Sequence, residues 1–257
     1  MTPDPLPYRL DRTILIRASR DTVFAFFTDS GRWASWWGAG SHIESRPGGR
    51  MLIRHPNAIE ASGEVLEVVP PERIVFTYGY QSGPTSPPGS SRVTIALDTC
   101  PQGTLLHLTH EFPGAEARDE HEQGWRYQLA VFGNVVADAA HAGVADTVDR
   151  WFAAWSESDK ATRDAAVVDV TTTLVGVRDR YSLLDGRDDL LKHLDAIHRF
   201  MPGTALQRDG GTRHCQGTVL ADWIARGQDG QERARGTSVF VLDGAGRIES
   251  VVGFWYS

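Results

Sequence analysis

Cysteine is scarce in this chain. Its 257 residues include two, Cys100 and Cys215, far apart and in no metal-ligand spacing. They read as reduced thiols, which argues against a disulfide-stapled secreted fold and leads to the expectation of a cytoplasmic protein. Long apolar runs are missing too, and none approaches the ~20 residues that a bilayer crossing requires. The opening stretch MTPDPLPYRLDRT lacks the basic start and apolar core of a secretion signal. Lysine and arginine form no cluster and the net charge is −7, so neither nucleic acid nor an anionic membrane is expected as a partner. HExxH, CxxC, P-loop and nucleophile-elbow patterns are absent, which removes the usual signatures of metal, phosphate and serine-hydrolase chemistry. The 9 histidines are dispersed, and His193 and His198, five apart on one predicted helix, are poorly spaced for a shared metal. No metal or other cofactor is expected.

What remains is ordinary globular material, 41% hydrophobic and 23% charged. The length suggests two domains, and no internal repeat relates them. In the first half, Ile14 to Ser19 alternates like a strand, and Ser19 is placed to cap a helix whose apolar stripe is Val23, Phe26 and Phe27. Strand-like segments follow at Met51–His55, Ile59–Val69, Arg73–Tyr80, Arg92–Leu97 and Thr104–Phe112. Pro70–Pro71 and the Ser82 to Ser91 stretch are loops by composition. A long helix then carries Trp125, Leu129, Phe132 and Val136 on one stripe.

The second half starts with helix, placing Val148, Trp151 or Phe152, and Trp155 on the buried side. A strand is expected near Leu174–Ser182, then a helix with Leu190, Leu194 and Ile197 as its stripe and Pro202–Gly203 as its stop. Three long strands are expected to close the chain: Thr212–Ala225, Glu232–Leu242 and Arg247–Tyr256. Both halves therefore read as α+β, with a boundary near Ala142–Asp146.

The segments VFAFFTDSGRWASWWG, RPGG, GEVLEVVPPERIVFTYGY, SRVTIAL, GTLLHLTHE and GWRYQL occur in an order that resembles the heat-shock-protein-90 ATPase activator homologue family. That family belongs to the START-like (SRPBCC) superfamily. The likeness spans roughly residues 8 to 141 and implies a helix-grip fold, in which a curved sheet wraps a long helix around an apolar cavity. RWFAAWSESD, DRYSLLDGRDDLLKHL and GRIESVVGFW are similar to SnoaL-like, nuclear-transport-factor-like domains over roughly residues 144 to 257. This implies an α+β cone, again with a pocket. The expected organisation is thus a helix-grip domain at 1–143 and a cone domain at 144–257. Both superfamilies mix carriers with enzymes, so neither name fixes an activity. Cone-fold epoxide hydrolases carry an arginine two residues before an aspartate, and the counterpart here is Leu220–Ala221–Asp222, without the arginine.

The candidate site residues follow from aromatic content and strand parity. Trp33, Trp36 and Trp37 either plug the sheet as core or include one ring, Trp37, that stacks on a planar ligand. Phe76 and Tyr78 share a strand face with Ile74 and are expected as pocket wall, and Trp125 lies on the facing helix stripe. His110 shares the face of Leu106 and Leu108, as a core histidine or as a proton-transfer group. In the second half, Asp179 and Tyr181 share the face of Val175 and Val177, which aims them inward as base and hydrogen-bond donor. The alternative is a structural pairing of Asp179, with Arg213 as its candidate partner because Arg213 is expected on the Val219 and Trp223 face. Trp155, Trp223 and Phe254 complete the expected lining of the second pocket.

The sequence is compatible with three functions. The chain is a binder of hydrophobic or aromatic small molecules, a cyclase or isomerase acting through Asp179 and Tyr181, or an interaction module. The last includes a homodimer through the second sheet and leaves chaperone binding open.

Overall fold

The computed structural model describes residues 6–55, 58–82 and 85–256. Residues 1–5 of the opening stretch and Gly83–Pro84 of the expected Ser82–Ser91 loop lie outside the described residues. Two compact units divide the chain, Met1–Ala137 and Asp138–Ser257. Among the described residues no helix is long and apolar enough to cross a membrane.

The first unit runs β1 (Tyr8–Ile16), α1 (Arg20–Thr28), α2 (Ser30–Trp37), β2 (His42–Ile43), β3 (Arg50–Arg54), β4 (Glu60–Val69), β5 (Arg73–Tyr78), β6 (Ser91–Cys100), β7 (Gly103–Phe112) and α3 (Ala115–Ala140). Its antiparallel sheet has the order β1-β7-β6-β5-β4-β3-β2. Caps set the short helices. Ser19 accepts from the Thr22 amide at 3.2 Å and starts α1; Asp29 accepts from the Arg32 amide at 2.8 Å and starts α2. The second cap matters most, because it turns the expected helix end into a new helix that carries all three neighbouring tryptophans. Between β2 and β3 the chain doubles back through Gly48, at φ +77°, and Gly49. A Cβ on Gly49 would sit 2.1 Å from the Glu44 carbonyl oxygen, so only glycine lets the loop close.

Strand parity holds along β7, where Thr104, Leu106, Leu108, His110 and Phe112 are all buried. These meet Ile95 and Leu97 of β6 and Leu129, Phe132 and Val136 of α3 in one core. A sheet face closed on a single long helix is the helix-grip architecture.

The second unit runs α4 (Val144–Ser156), α5 (Lys160–Val170), β8 (Thr171–Arg178), β9 (Leu183–Asp185), α6 (Arg187–Phe200), β10 (Ala205–Cys215), β11 (Thr218–Arg226), β12 (Glu232–Leu242) and β13 (Ile248–Trp255). Its mixed sheet has the order β10-β11-β12-β13-β8-β9, with β13 and β8 parallel. Val148, Trp151 and Phe152 of α4 and Leu190 and Leu194 of α6 pack on Val175, Val219, Trp223 and Phe240.

Two expectations are corrected here. The strand expected at Thr212–Ala225 is a hairpin, broken at Gln216 (φ 50°) and Gly217 (φ 80°). Two consecutive positive φ values make the tight turn that suits twisted antiparallel strands, but with Gln in place of the usual Asn or Asp. Crossing that turn changes which residues share a face: Arg213 pairs with Leu220, not with Val219. Arg213 is therefore exposed beside Asp222, 3.7 Å away, and not beside Asp179. The strand expected near Leu174–Ser182 is β8, which starts three residues earlier and ends at Arg178.

Candidate ligand-binding site

A cleft of about 720 Å³ lies within the first unit, between the end of α2, the first half of α3 and the C-terminal end of β5. Its walls are aromatic: Trp36 and Trp37 from α2, Tyr78 and Tyr80 from β5 and the residues after it, and Trp125 and Tyr127 from α3. Tyr127 and Ile59 are exposed and form its rim.

The three neighbouring tryptophans have separate roles. Trp33 is fully buried, and its indole donates to the Leu52 carbonyl at 3.2 Å. Trp36 donates to the Phe26 carbonyl at 3.3 Å while also lining the cleft. Both hold the end of the sheet to α1 and β3, and both rings pack edge-on against Phe27. Trp37 lines the cleft, its ring 5.7 Å from His55 and 5.8 Å from Trp125, and its buried indole nitrogen has no partner.

His110 sits behind this wall with both ring nitrogens occupied. The Trp125 indole donates to Nδ1 at 2.9 Å, which leaves the proton on Nε2. Nε2 then donates to the Ser91 hydroxyl at 2.8 Å, and Ser91 donates to the Tyr78 carbonyl at 2.8 Å. This chain of bonds fixes one neutral tautomer. Burial, with a smaller contribution from His121, holds the His110 pKa well below its ordinary value. Its role is to orient Trp125 and Tyr78 in the cleft wall. Phe76 is likewise behind the wall, edge-on to Trp33 at 5.8 Å.

His121 was not anticipated, although it continues the Trp125, Leu129, Phe132 stripe back by one turn. Its Nδ1 lies 2.7 Å from the Ala117 carbonyl, an acceptor, so Nδ1 carries the proton and donates. Burial lowers the His121 pKa, and the ring is neutral. Nε2 is left as a bare lone pair, buried and without a partner. Tyr80 stacks on the ring at 5.3 Å, and Tyr78 meets it edge-on at 5.5 Å. His55, also unanticipated, lines the cleft with an unpartnered Nε2 and a pKa lowered by burial. His55 and Tyr80 lie just past β3 and β5, at the ends of the expected strands Met51–His55 and Arg73–Tyr80, and continue the buried faces of Met51 and Ile53 and of Phe76 and Tyr78. Burial, reinforced by Tyr80, raises the Tyr78 pKa well above 10, and its phenol is protonated.

The expected site of the second unit does not assemble. Asp179 lies one residue past β8, where its carboxylate accepts from the Tyr181 amide at 2.7 Å and holds the turn into β9. Tyr181 is 70% exposed, its ring edge-on to Trp255 at 5.1 Å. The expectation that both point inward with Val175 and Val177 fails because the alternation stops when the strand stops. Trp223 is buried against Trp255 at 5.0 Å, Phe254 is 55% exposed on the opposite face, and Trp155 packs between Trp151 and His193. Trp223 and Trp155 thus belong to the second core and its margin, while Phe254 lies on the outer face. Among the described residues no group of three or more histidines, cysteines or carboxylates is placed to hold a metal ion.

The first unit is thus a helix-grip domain with an aromatic cleft beside its long helix. Residues 17–137 match the family model described as Activator of Hsp90 ATPase homolog 1-like protein, so this segment is an AHSA1 domain of the SRPBCC class. Among solved structures, the chain is similar to an AHSA1-like protein from Rhizobium etli, at 37% identity over 51% of this chain and 82% of that one, with a TM-score of 0.42. It is similar to the AHSA1 protein from Silicibacter pomeroyi at 25% identity over 49% and 95%, with a TM-score of 0.41. A SnoaL-like family protein from Agrobacterium tumefaciens is 26% identical over 46% of this chain and 99% of that one, with a TM-score of 0.42. The comparison with curated proteins gave no match.

Proposed function

We propose that this protein binds an apolar or aromatic small molecule in the cleft of its AHSA1 domain. The observation that carries the reading is the conjunction of a drug-sized cleft with aromatic walls and buried ring nitrogens, on Trp37, His55 and His121, that have no protein partner. Ligand pockets of this size are mostly apolar with a few placed polar groups. A buried polar atom left unpaired costs roughly 1–3 kcal/mol, which a ligand can recover. The turnover reading through Asp179 and Tyr181 has no geometric support, since one residue holds a turn and the other faces solvent.

Thermal melting against a diverse lipophilic library tests the proposal, with native mass spectrometry of freshly purified protein to detect a retained compound. A ligand at a hundredfold above its Kd adds about 2.7 kcal/mol of stability. Failure of every compound to raise the melting temperature contradicts it.

A second reading concerns self-association. The outer face of the second sheet carries Leu220, Val239, Val252 and Phe254 in register across β11, β12 and β13, with Phe254 55% exposed. We infer that this face suits a second copy of the chain. Light scattering over a range of concentrations tests this, and a monomeric mass throughout removes it.

A further inference from the structure

The polar atoms of the cleft carry a more specific reading, which rests on the proposed binding function: they define the ligand's chemistry. Among the described residues that line the cleft there is no lysine or arginine, and Glu120 is its acid. The two histidines on its wall are neutral. A carboxylate, sulfonate or phosphate brought here loses water and meets no cation, so anionic ligands pay a large desolvation penalty.

His121 presents an acceptor, because its proton is committed to the Ala117 carbonyl. Trp37 presents a donor, because an indole nitrogen can do nothing else. His55 adds a third unpaired ring nitrogen, Nε2, while four other polar groups of the wall are engaged: Trp125 with His110, Trp36 with Phe26, Gln128 with the Trp36 carbonyl, and Glu120 with the Thr85 hydroxyl. The Trp37 and Trp125 rings, edge-on to each other, supply flat apolar surface between them.

We infer that the cleft selects uncharged planar aromatic compounds that bear a hydroxyl donor for His121 Nε2 and a carbonyl-type acceptor for the Trp37 indole, and that it rejects aromatic and fatty acids. A phenol suits the first position because it brings a strong donor on a flat apolar body and stays neutral at physiological pH.

Four probes with one ring system test this by isothermal titration calorimetry on the full chain at pH 7.5: naphthalene, 2-naphthol, 2-acetonaphthone and 2-naphthoate. The expected order is 2-naphthol and 2-acetonaphthone each about tenfold tighter than naphthalene, a difference of 1.4 kcal/mol, with 2-naphthoate weakest. In His121→Phe the naphthol-to-naphthalene ratio drops to about one while the acetonaphthone ratio persists, and Trp37→Phe shows the converse. Thermal melting of both variants establishes that they are folded. Equal affinity for naphthalene and 2-naphthol in the unmodified protein overturns this inference and leaves the cleft as a non-selective apolar site. Tightest binding by 2-naphthoate overturns the charge argument. Binding of none of the four overturns the inference together with the function on which it rests.

Discussion

Each unit holds four tryptophans, and the two sets are used differently. In the first unit Trp33, Trp36, Trp37 and Trp125 grade from solid core to cleft wall within a single cluster. In the second, Trp151 and Trp223 are buried in a core closed by Phe152 and Phe240, while Trp155 and Trp255 pack at its margin. Trp155 and Trp255 also have buried indole nitrogens without partners. Neither aromatic density nor an unpaired donor therefore marks a ligand site by itself. What distinguishes Trp37 is that its unpaired donor belongs to a cleft wall shared with an unpaired acceptor.

The sharpest way to break this comparison is to remove rings from each class. Trp33→Ala deletes a fully buried side chain and is expected to cost about 3–5 kcal/mol by chemical denaturation, with ligand binding lost only through unfolding. Trp37→Ala is expected to cost less stability and to abolish the ligand-induced rise in melting temperature. If the two variants behave alike, the division between core and wall is wrong.

A smaller effect comes from pH. Both His110 and His121 have folded-state pKa values below 6.5, chiefly through burial. As pH falls through 6.5 the unfolded chain takes up protons before the folded one does. This contribution to stability is complete above that pH and is lost below it, at up to about 1.4 kcal/mol per pH unit for each histidine. Denaturation midpoints at pH 7.5, 6.5 and 5.5 measure it, and His121→Phe is expected to show the shallower slope. The smallest effect is expected in the second unit. Asp179→Asn keeps the side-chain oxygen that holds the turn, so stability changes by less than about 0.5 kcal/mol and ligand binding is unaltered. A large loss of binding in that variant would restore a functional role to the second unit.

The same contrast explains what could be read from the chain alone. Parity placed His110 inward because β7 continues unbroken through it, ten residues long and paired on both sides. Parity fails for Asp179 because no side-chain pattern marks where β8 ends; the Tyr181 amide donating to the Asp179 carboxylate turns the chain there. Reading Thr212–Ala225 as one strand puts Arg213 on the wrong face, because Gln216–Gly217 makes a tight turn without the Asn-Gly or Asp-Gly pair that announces one. Trp37, Tyr78 and Trp125 were legible as aromatic residues on identifiable elements. His55 and Tyr80 continue the buried parity of the expected strands Met51–His55 and Arg73–Tyr80, but that they share one cleft depends on the pairing of distant segments, with Ala61 and Tyr80 bridging β4 to the residues after β5. His121 was legible in principle, one turn before Trp125 on the same stripe, but a histidine at such a position is more often a satisfied core group. Its unpaired nitrogen is a tertiary property.

The measurement that bears most directly on the central claim uses the indole N–H resonances of the 8 tryptophans. The ¹H–¹⁵N spectrum is recorded during titration with the tightest naphthalene derivative. The account predicts large shifts for Trp37 and Trp125, a smaller one for Trp36, and none for Trp151, Trp155, Trp223 and Trp255. Shifts confined to the last four, or no movement at saturating ligand, would contradict it.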